Sequence, residues 1–232
     1  RAASGTWICP PRKDSTTNRK ALFAGAVVAL AAAFVVATLV YRSEQAGESA
    51  QVAASNQASL VRFHAPTLGN PEAKVHIVEF IDPACETCAA MYPHVKRILV
   101  TNPDRVRLSM RHVPFHRGAD YVVKVLEAAR KQGKYWETLD VLMARQPQWV
   151  ANHTVQTDRV LPLLGGVGLD LARLQADMEA PDVAQRIALD MADAKALNVT
   201  KTPEYFVNGR PWPSFGEQQL LNLVNEELQL AY

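Results

Sequence analysis

Cysteine is scarce: Cys9, Cys85 and Cys88 are the three in a chain of 232 residues. That scarcity excludes a small scaffold stapled by disulfides. It also excludes a four-cysteine zinc site, which needs a second Cys pair. A surplus of one charge sign is missing from most of the chain. Residues 1–46 carry six Lys or Arg and two acids, a net of +4, so the whole-chain +2 leaves −2 for residues 47–232. No basic patch therefore argues for nucleic acid as a partner. Internal repeats and extended low-complexity tracts are lacking as well.

Only one long apolar run is present. Residues 21–41 are 21 consecutive uncharged side chains, and about 20 apolar residues suffice for an α-helix to cross roughly 30 Å of hydrocarbon. Arg12, Lys13, Arg19 and Lys20 precede the run, whereas Arg42 alone follows closely before Glu44. The positive-inside bias then expects residues 1–20 as a cytoplasmic tail and 21–41 as a transmembrane anchor in the inner membrane. The rest is expected in the periplasm or another extracytoplasmic space. The competing reading is a cleaved secretory signal, whose apolar centre usually runs about 7–15 residues; Ala46-Gly47 is a poor cleavage site. With an anchor, Cys9 stays on the cytoplasmic side, and only Cys85 and Cys88 meet an oxidising compartment.

Residues 42–60 are rich in Ala, Gln, Ser and Glu without an aromatic after Tyr41, which reads as a flexible tether. Residues 61–232 are enough for one well-buried core. Residues 75–81, Val-His-Ile-Val-Glu-Phe-Ile, form a β-branched and apolar run typical of a strand buried on both faces. After it, Met91, Val95, Ile98 and Leu99 recur at helical spacing, so Cys85 stands at a helix start. Residues 105–113 alternate polar with apolar and predict a second strand. Short helices follow at 120–131, 135–144, 170–179 and 181–197. A strand at 205–207 then meets Asn208-Gly209, the dipeptide of a two-residue hairpin, and a last amphipathic helix spans 216–230.

The chemistry lies in Cys85-Glu86-Thr87-Cys88. Two cysteines on the first turn of a helix can bond to each other while the first stays nearer solvent. Only a thiolate attacks a disulfide, and a helix N-terminus lowers a cysteine pKa through its partial positive charge and free N–H groups. Cys85 is the candidate nucleophile and Cys88 the resolving partner. Glu86 and Thr87 fill the tuning positions between them; a carboxylate at 86 disfavours a neighbouring thiolate, which points to a milder oxidant. The alternative for the pair is zinc or copper binding, which requires ligands from His64, His76, His94, His112, His116 or His153. No metal site is expected, and His112 and His116, flanking Val113-Pro114-Phe115, read as core or surface histidines.

These residues resemble a thioredoxin-fold thiol:disulfide oxidoreductase of the DsbA-like class. The resemblance covers roughly residues 61–232 and implies an α/β thioredoxin-like fold with an inserted helical subdomain at about 117–197, here preceded by a transmembrane helix. It implies that Glu79, six residues before Cys85, is a buried acid assisting proton transfer. Pro93 matches the proline that bends the first helix. Thr202 and Pro203 match the cis-proline element that binds substrate beside the sulfurs. The implied partners are cysteine-containing client proteins and a membrane redox partner. No cofactor is implied beyond the Cys85–Cys88 disulfide itself. The Glu-Thr dipeptide and the anchor depart from the soluble members. A disulfide reductase or isomerase kept reduced by a membrane carrier, and a non-catalytic metal- or client-binding protein, remain as alternatives.

Asp82 reads as shaping the turn before Pro83 rather than as catalytic. Trp136, Trp149 and Trp212 read as core or rim aromatics, with Trp212 a candidate border of the substrate groove.

Overall fold

A computed structural model describes residues 16–232; Cys9, Arg12 and Lys13 lie outside the described residues. The chain divides into two units, residues 1–49 and 50–232. Helix α1, Thr16–Leu60, begins in the first. Its segment Leu22–Tyr41 has a mean hydropathy of 2.5 and no buried residue, so it is long and apolar enough to cross a membrane.

The structure corrects the reading of residues 42–60 as a tether without structure of its own: they are helical to Leu60. Ala, Gln and Glu, read as a disorder composition, are also strong helix formers. Tertiary contacts within the second unit secure the end of this helix. Leu60 is buried among Val78, Phe80 and Phe206. Asn56 Nδ2 donates to the Gly209 carbonyl at 3.0 Å. Arg111 Nη1 donates to the carbonyls of Ser59 and Leu60 at 2.8 and 3.2 Å, satisfying acceptors that a helix end leaves free.

The rest of the second unit is built on a five-stranded sheet in the order β1-β3-β2-β6-β7. The strands are β1 (Thr67–Gly69), β2 (Val75–Ile81), β3 (Val106–His112), β6 (Glu204–Val207) and β7 (Arg210–Pro211). β2 runs parallel to β3 and antiparallel to β6. All seven β2 residues are buried, as their apolar run predicts. Side chains alternate across a strand, and here the alternation separates two cores. Val75, Ile77 and Ile81 face the core shared with α2 (Glu86–Thr101) and α8 (Glu217–Ala231). Val78 and Phe80 face the core holding Leu60 and Ala194 of α7 (Pro181–Ala196). Glu79 has the parity of Ile77 and Ile81, so position 79 belongs to the α2 face.

β3 departs from its sequence pattern. Alternation suggests one wet face, yet Arg111 and His112 are both buried. Arg111 is held by Asp190 and Asp193 of α7 at 2.6 Å each, charges supplied by residues 79 and 82 positions later.

Between β3 and β6 lie α3 (Ala119–Lys131), α4 (Tyr135–Ala144), the hairpin β4–β5 (Val150–Ala151 and Thr154–Val155), a single turn α5 (Thr157–Val160), α6 (Leu171–Met178) and α7. The four longer helices match the predicted ones within about two residues. The hairpin was not foreseen; its turn residues Asn152 and His153 both have positive φ, 49° and 56°, as a two-residue turn of matching twist requires. Asn208-Gly209 forms the expected turn between β6 and β7, with φ of 49° and 88°. A Cβ at 209 would also run into the backbone of Ala53, so both the turn and the close approach of α1 demand glycine.

Candidate active site at Cys85 and Cys88

β2 ends at Ile81 and α2 starts at Glu86, leaving Cys85 as the N-cap residue in an extended conformation (φ −79°, ψ 119°). Cys88, one turn on, points into the core. Both thiols are free, Cys85 6% exposed and Cys88 fully buried.

Their surroundings separate them chemically. The Cys85 thiol is lowered to about 5, chiefly by a hydrogen bond from the Cys88 thiol; burial opposes this, while the Thr202 side chain and the N–H groups of Cys88 and Thr87 add to the lowering. Burial, reinforced by the Cys85 charge, pushes Cys88 well above the ordinary thiol range. These surroundings favour the thiolate at the outer sulfur and the protonated thiol at the inner one.

Glu79 is completely buried on the face of β2 toward this pair. Its Oε1 accepts a hydrogen bond from Tyr205 Oη at 3.1 Å, and its Oε2 has no partner. Burial raises the carboxyl to about 8, so it is largely neutral at pH 7. The Thr202–Pro203 peptide is cis, Pro203 is buried, and the Thr202 carbonyl accepts from Cys85 Sγ at 3.4 Å. Only the protonated thiol can make that bond. Glu86 is exposed and Thr87 half-buried; the Glu86 carboxylate is 3.0 Å from His153 Nδ1. Pro93 lies inside α2.

Two supporting residues are prominent. Asp82, fully buried, accepts from Ala84 N at 2.8 Å through Oδ1, and its Oδ2 meets Phe115 N, His116 N and His116 Nδ1 at 2.8, 2.7 and 2.6 Å. It therefore shapes the turn before Cys85, as its position suggests, and ties that turn to the loop after β3. Gln146, beyond α4, has no signal in the sequence. Its buried amide donates to the carbonyls of Pro83 and Cys85 at 2.8 and 2.9 Å, bracing the loop from the helical insertion.

His112 and His116 part company. His112 is buried with Nε2 2.8 Å from Tyr135 Oη, while His116 sits at the mouth of the site. Trp212 is buried and packs edge-on against Tyr205, ring centroids 5.0 Å apart. A cavity of about 460 Å³ bordered by Leu68, Leu99, Val100 and Val106 lies at the opposite end of α2.

The sheet order, the helical insertion between β3 and β6 and the dithiol at the start of α2 define a protein of thioredoxin-like fold. Comparisons with known proteins agree. The thioredoxin family model matches residues 63–225, and the chain belongs to the thioredoxin family. A thioredoxin-like oxidoreductase from Silicibacter pomeroyi DSS-3 is 34% identical, with 76% of this chain and 98% of that one covered at a TM-score of 0.65. BdbD from Bacillus subtilis (21% identity, 72% and 94% covered, TM-score 0.63) has the same fold. So does alpha-DsbA1 from Wolbachia pipientis (16% identity, 76% and 97% covered, TM-score 0.67). Among curated sequences, the Na(+)/H(+) antiporter NhaA of Herminiimonas arsenicoxydans is 31% identical over 142 residues, 61% of this chain and 22% of that protein. NhaA 3 of Salinispora tropica is similar, at 34% over 145 residues, 61% of this chain and 21% of the antiporter. The chain spans about a fifth of the length of these curated relatives.

Proposed function

We propose that the chain is a thiol:disulfide oxidoreductase that passes disulfides to cysteine-containing client proteins. The observation that carries this reading is the placement of the pair, Cys85 as the N-cap of α2 and Cys88 one turn on and fully buried, which holds the outer thiol low, at about 5, and the inner one high. In the oxidised protein a client thiolate attacks Cys85 Sγ, the Cys85–Cys88 bond breaks, and its electron pair leaves on Cys88. Glu79, raised by burial to about 8, would give the inner sulfur its proton. A second client thiolate then attacks the client sulfur of the mixed disulfide, closing the client disulfide and expelling Cys85 as a thiolate. Two electrons have moved from the client to the pair, and no other cofactor is needed. A low pKa makes Cys85 a good leaving group and stabilises the reduced form, which favours donation over reduction. Thr202 and Pro203 would flank the client segment, and Glu86 and Thr87 would tune the potential.

The anchor completes the proposal. Leu22–Tyr41 would hold the protein in the inner membrane, and the basic flank before it favours a cytoplasmic N-terminus with the catalytic unit in the periplasm or an equivalent space. A membrane redox partner would re-oxidise the pair. The test is trapping. Cys88→Ser should attack a disulfide-bonded peptide through the Cys85 thiolate and accumulate the mixed disulfide, the second peptide sulfur leaving as a thiolate, and Cys85→Ser should form none. Equal trapping by both variants, or none by Cys88→Ser, would overturn the reading.

A further inference from the structure

Hairpin β4–β5 is held to the loop after β3 by a bridge between Arg117 and Thr154, including Val155 N to Arg117 O at 3.0 Å. This brings His153, at the hairpin tip, over His116: the two imidazoles stack with centroids 5.7 Å apart and planes 25° from parallel. Glu86, on the first turn of α2, completes the group. One ligand atom from each of Glu86, His116 and His153 lies within 4.8 Å of the others. No linear motif links these three positions, and the fold alone groups them.

We propose that His116, His153 and Glu86 form a binding site for a divalent transition metal at the mouth of the Cys85–Cys88 pair. Two imidazoles and a carboxylate are a donor set suited to zinc and its neighbours in the first row, with a position left for water or a fourth ligand. His116 is already prepared as a ligand. Its Nδ1 is bound to the buried Asp82 carboxylate at 2.6 Å, which leaves Nε2 to ligate and reproduces the carboxylate–histidine support typical of metal-binding histidines. Tetrahedral bonds of about 2.0–2.1 Å place neighbouring donors roughly 3.3 Å apart. His153 and Glu86, already 3.0 Å apart, have side chains 71% and 52% exposed, free to swing the remaining distance toward the fixed His116. The ion would clasp the hairpin to the start of α2.

The test titrates Zn(II) into the untagged 232-residue chain in detergent, with Cys9→Ser, Cys85→Ser and Cys88→Ser in place so that thiolates cannot bind the ion. One equivalent should bind, and the imidazole proton resonances of His116 and His153 should shift while those of the buried His64 and His112 do not. His153→Ala and Glu86→Gln, both exposed positions that leave the core untouched, should each weaken binding about tenfold or more. Unchanged affinity in His153→Ala, absence of binding, or binding only when the cysteines are restored would each overturn the proposal.

Discussion

The side-chain amide of Gln146 bonds the carbonyl oxygen of Cys85 at 2.9 Å from a position 61 residues further along the chain. The helical insertion is thus part of the scaffold of the dithiol loop, since the same nitrogen also reaches Pro83.

Removing that amide takes the side-chain donor from the Pro83 carbonyl and leaves the Cys85 carbonyl with the Ala89 N–H alone, at 3.2 Å. Gln146→Ala should cost about 1–3 kcal/mol of unfolding free energy, read by urea denaturation, and should change the reactivity of Cys85 through the loosened loop. A variant as stable as the parent would mean that the loop holds itself.

Alkylation of Cys85 by iodoacetamide should follow a titration with a midpoint at about 5 rather than near the ordinary 9. A thiol lowered in the folded protein contributes stability that is complete above its unfolded pKa. That contribution is lost as pH falls through the folded value. The reduced protein should therefore gain stability over the oxidised one between about pH 5 and 9, measured by comparing their denaturation midpoints.

Glu79 has the opposite sign. Burial raises it to about 8 from 4.5, so the stability of the neutral carboxyl is complete below about 4.5 and is lost as pH rises through about 8. Glu79→Gln should flatten this decline in the oxidised protein, where no thiol of the pair titrates. It should also slow proton transfer at Cys88, and with it turnover, by about 100-fold. Unchanged turnover would remove Glu79 from the proposed mechanism.

Arg111 is completely buried between Asp190 and Asp193 and supports the last carbonyls of α1. Arg111→Ala leaves two carboxylates without their buried cation and should cost about 3–5 kcal/mol. A loss under 1 kcal/mol, by urea denaturation, would show that the network is dispensable.

Features carried by local pattern were legible in the sequence. The apolar run from Val75 to Ile81, the helical spacing of Met91, Val95 and Ile98, and the Asn208-Gly209 turn each encode their geometry within a few residues. Cys85 and Cys88 are legible as a Cys-x-x-Cys pair at a helix start, whereas Glu79, Thr202 and Pro203 join them in the sequence only through a resemblance; in the fold, strand parity puts Glu79 on the α2 face and Thr202–Pro203 precede β6, the neighbour of β2. What escaped depends on contacts distant in sequence. Gln146 is an ordinary polar residue until the insertion folds back on the loop. Arg111 reads as the wet side of an alternating strand until α7 brings two aspartates. The composition of residues 42–60 could not distinguish a disordered segment from a helix, because Ala, Gln and Glu suit both.

The central claim is disulfide donation, and the potential of the pair tests it most directly. The 232-residue chain would be equilibrated over a series of glutathione ratios and the Cys85–Cys88 disulfide fraction read by thiol-trapping mass spectrometry. A thiol at about 5 stands between a strong oxidant and thioredoxin, so the account predicts a reversible two-electron transition between about −120 and −230 mV. A transition near −270 mV would contradict donation in favour of a reductant, and no reversible bond at any ratio would contradict redox chemistry altogether.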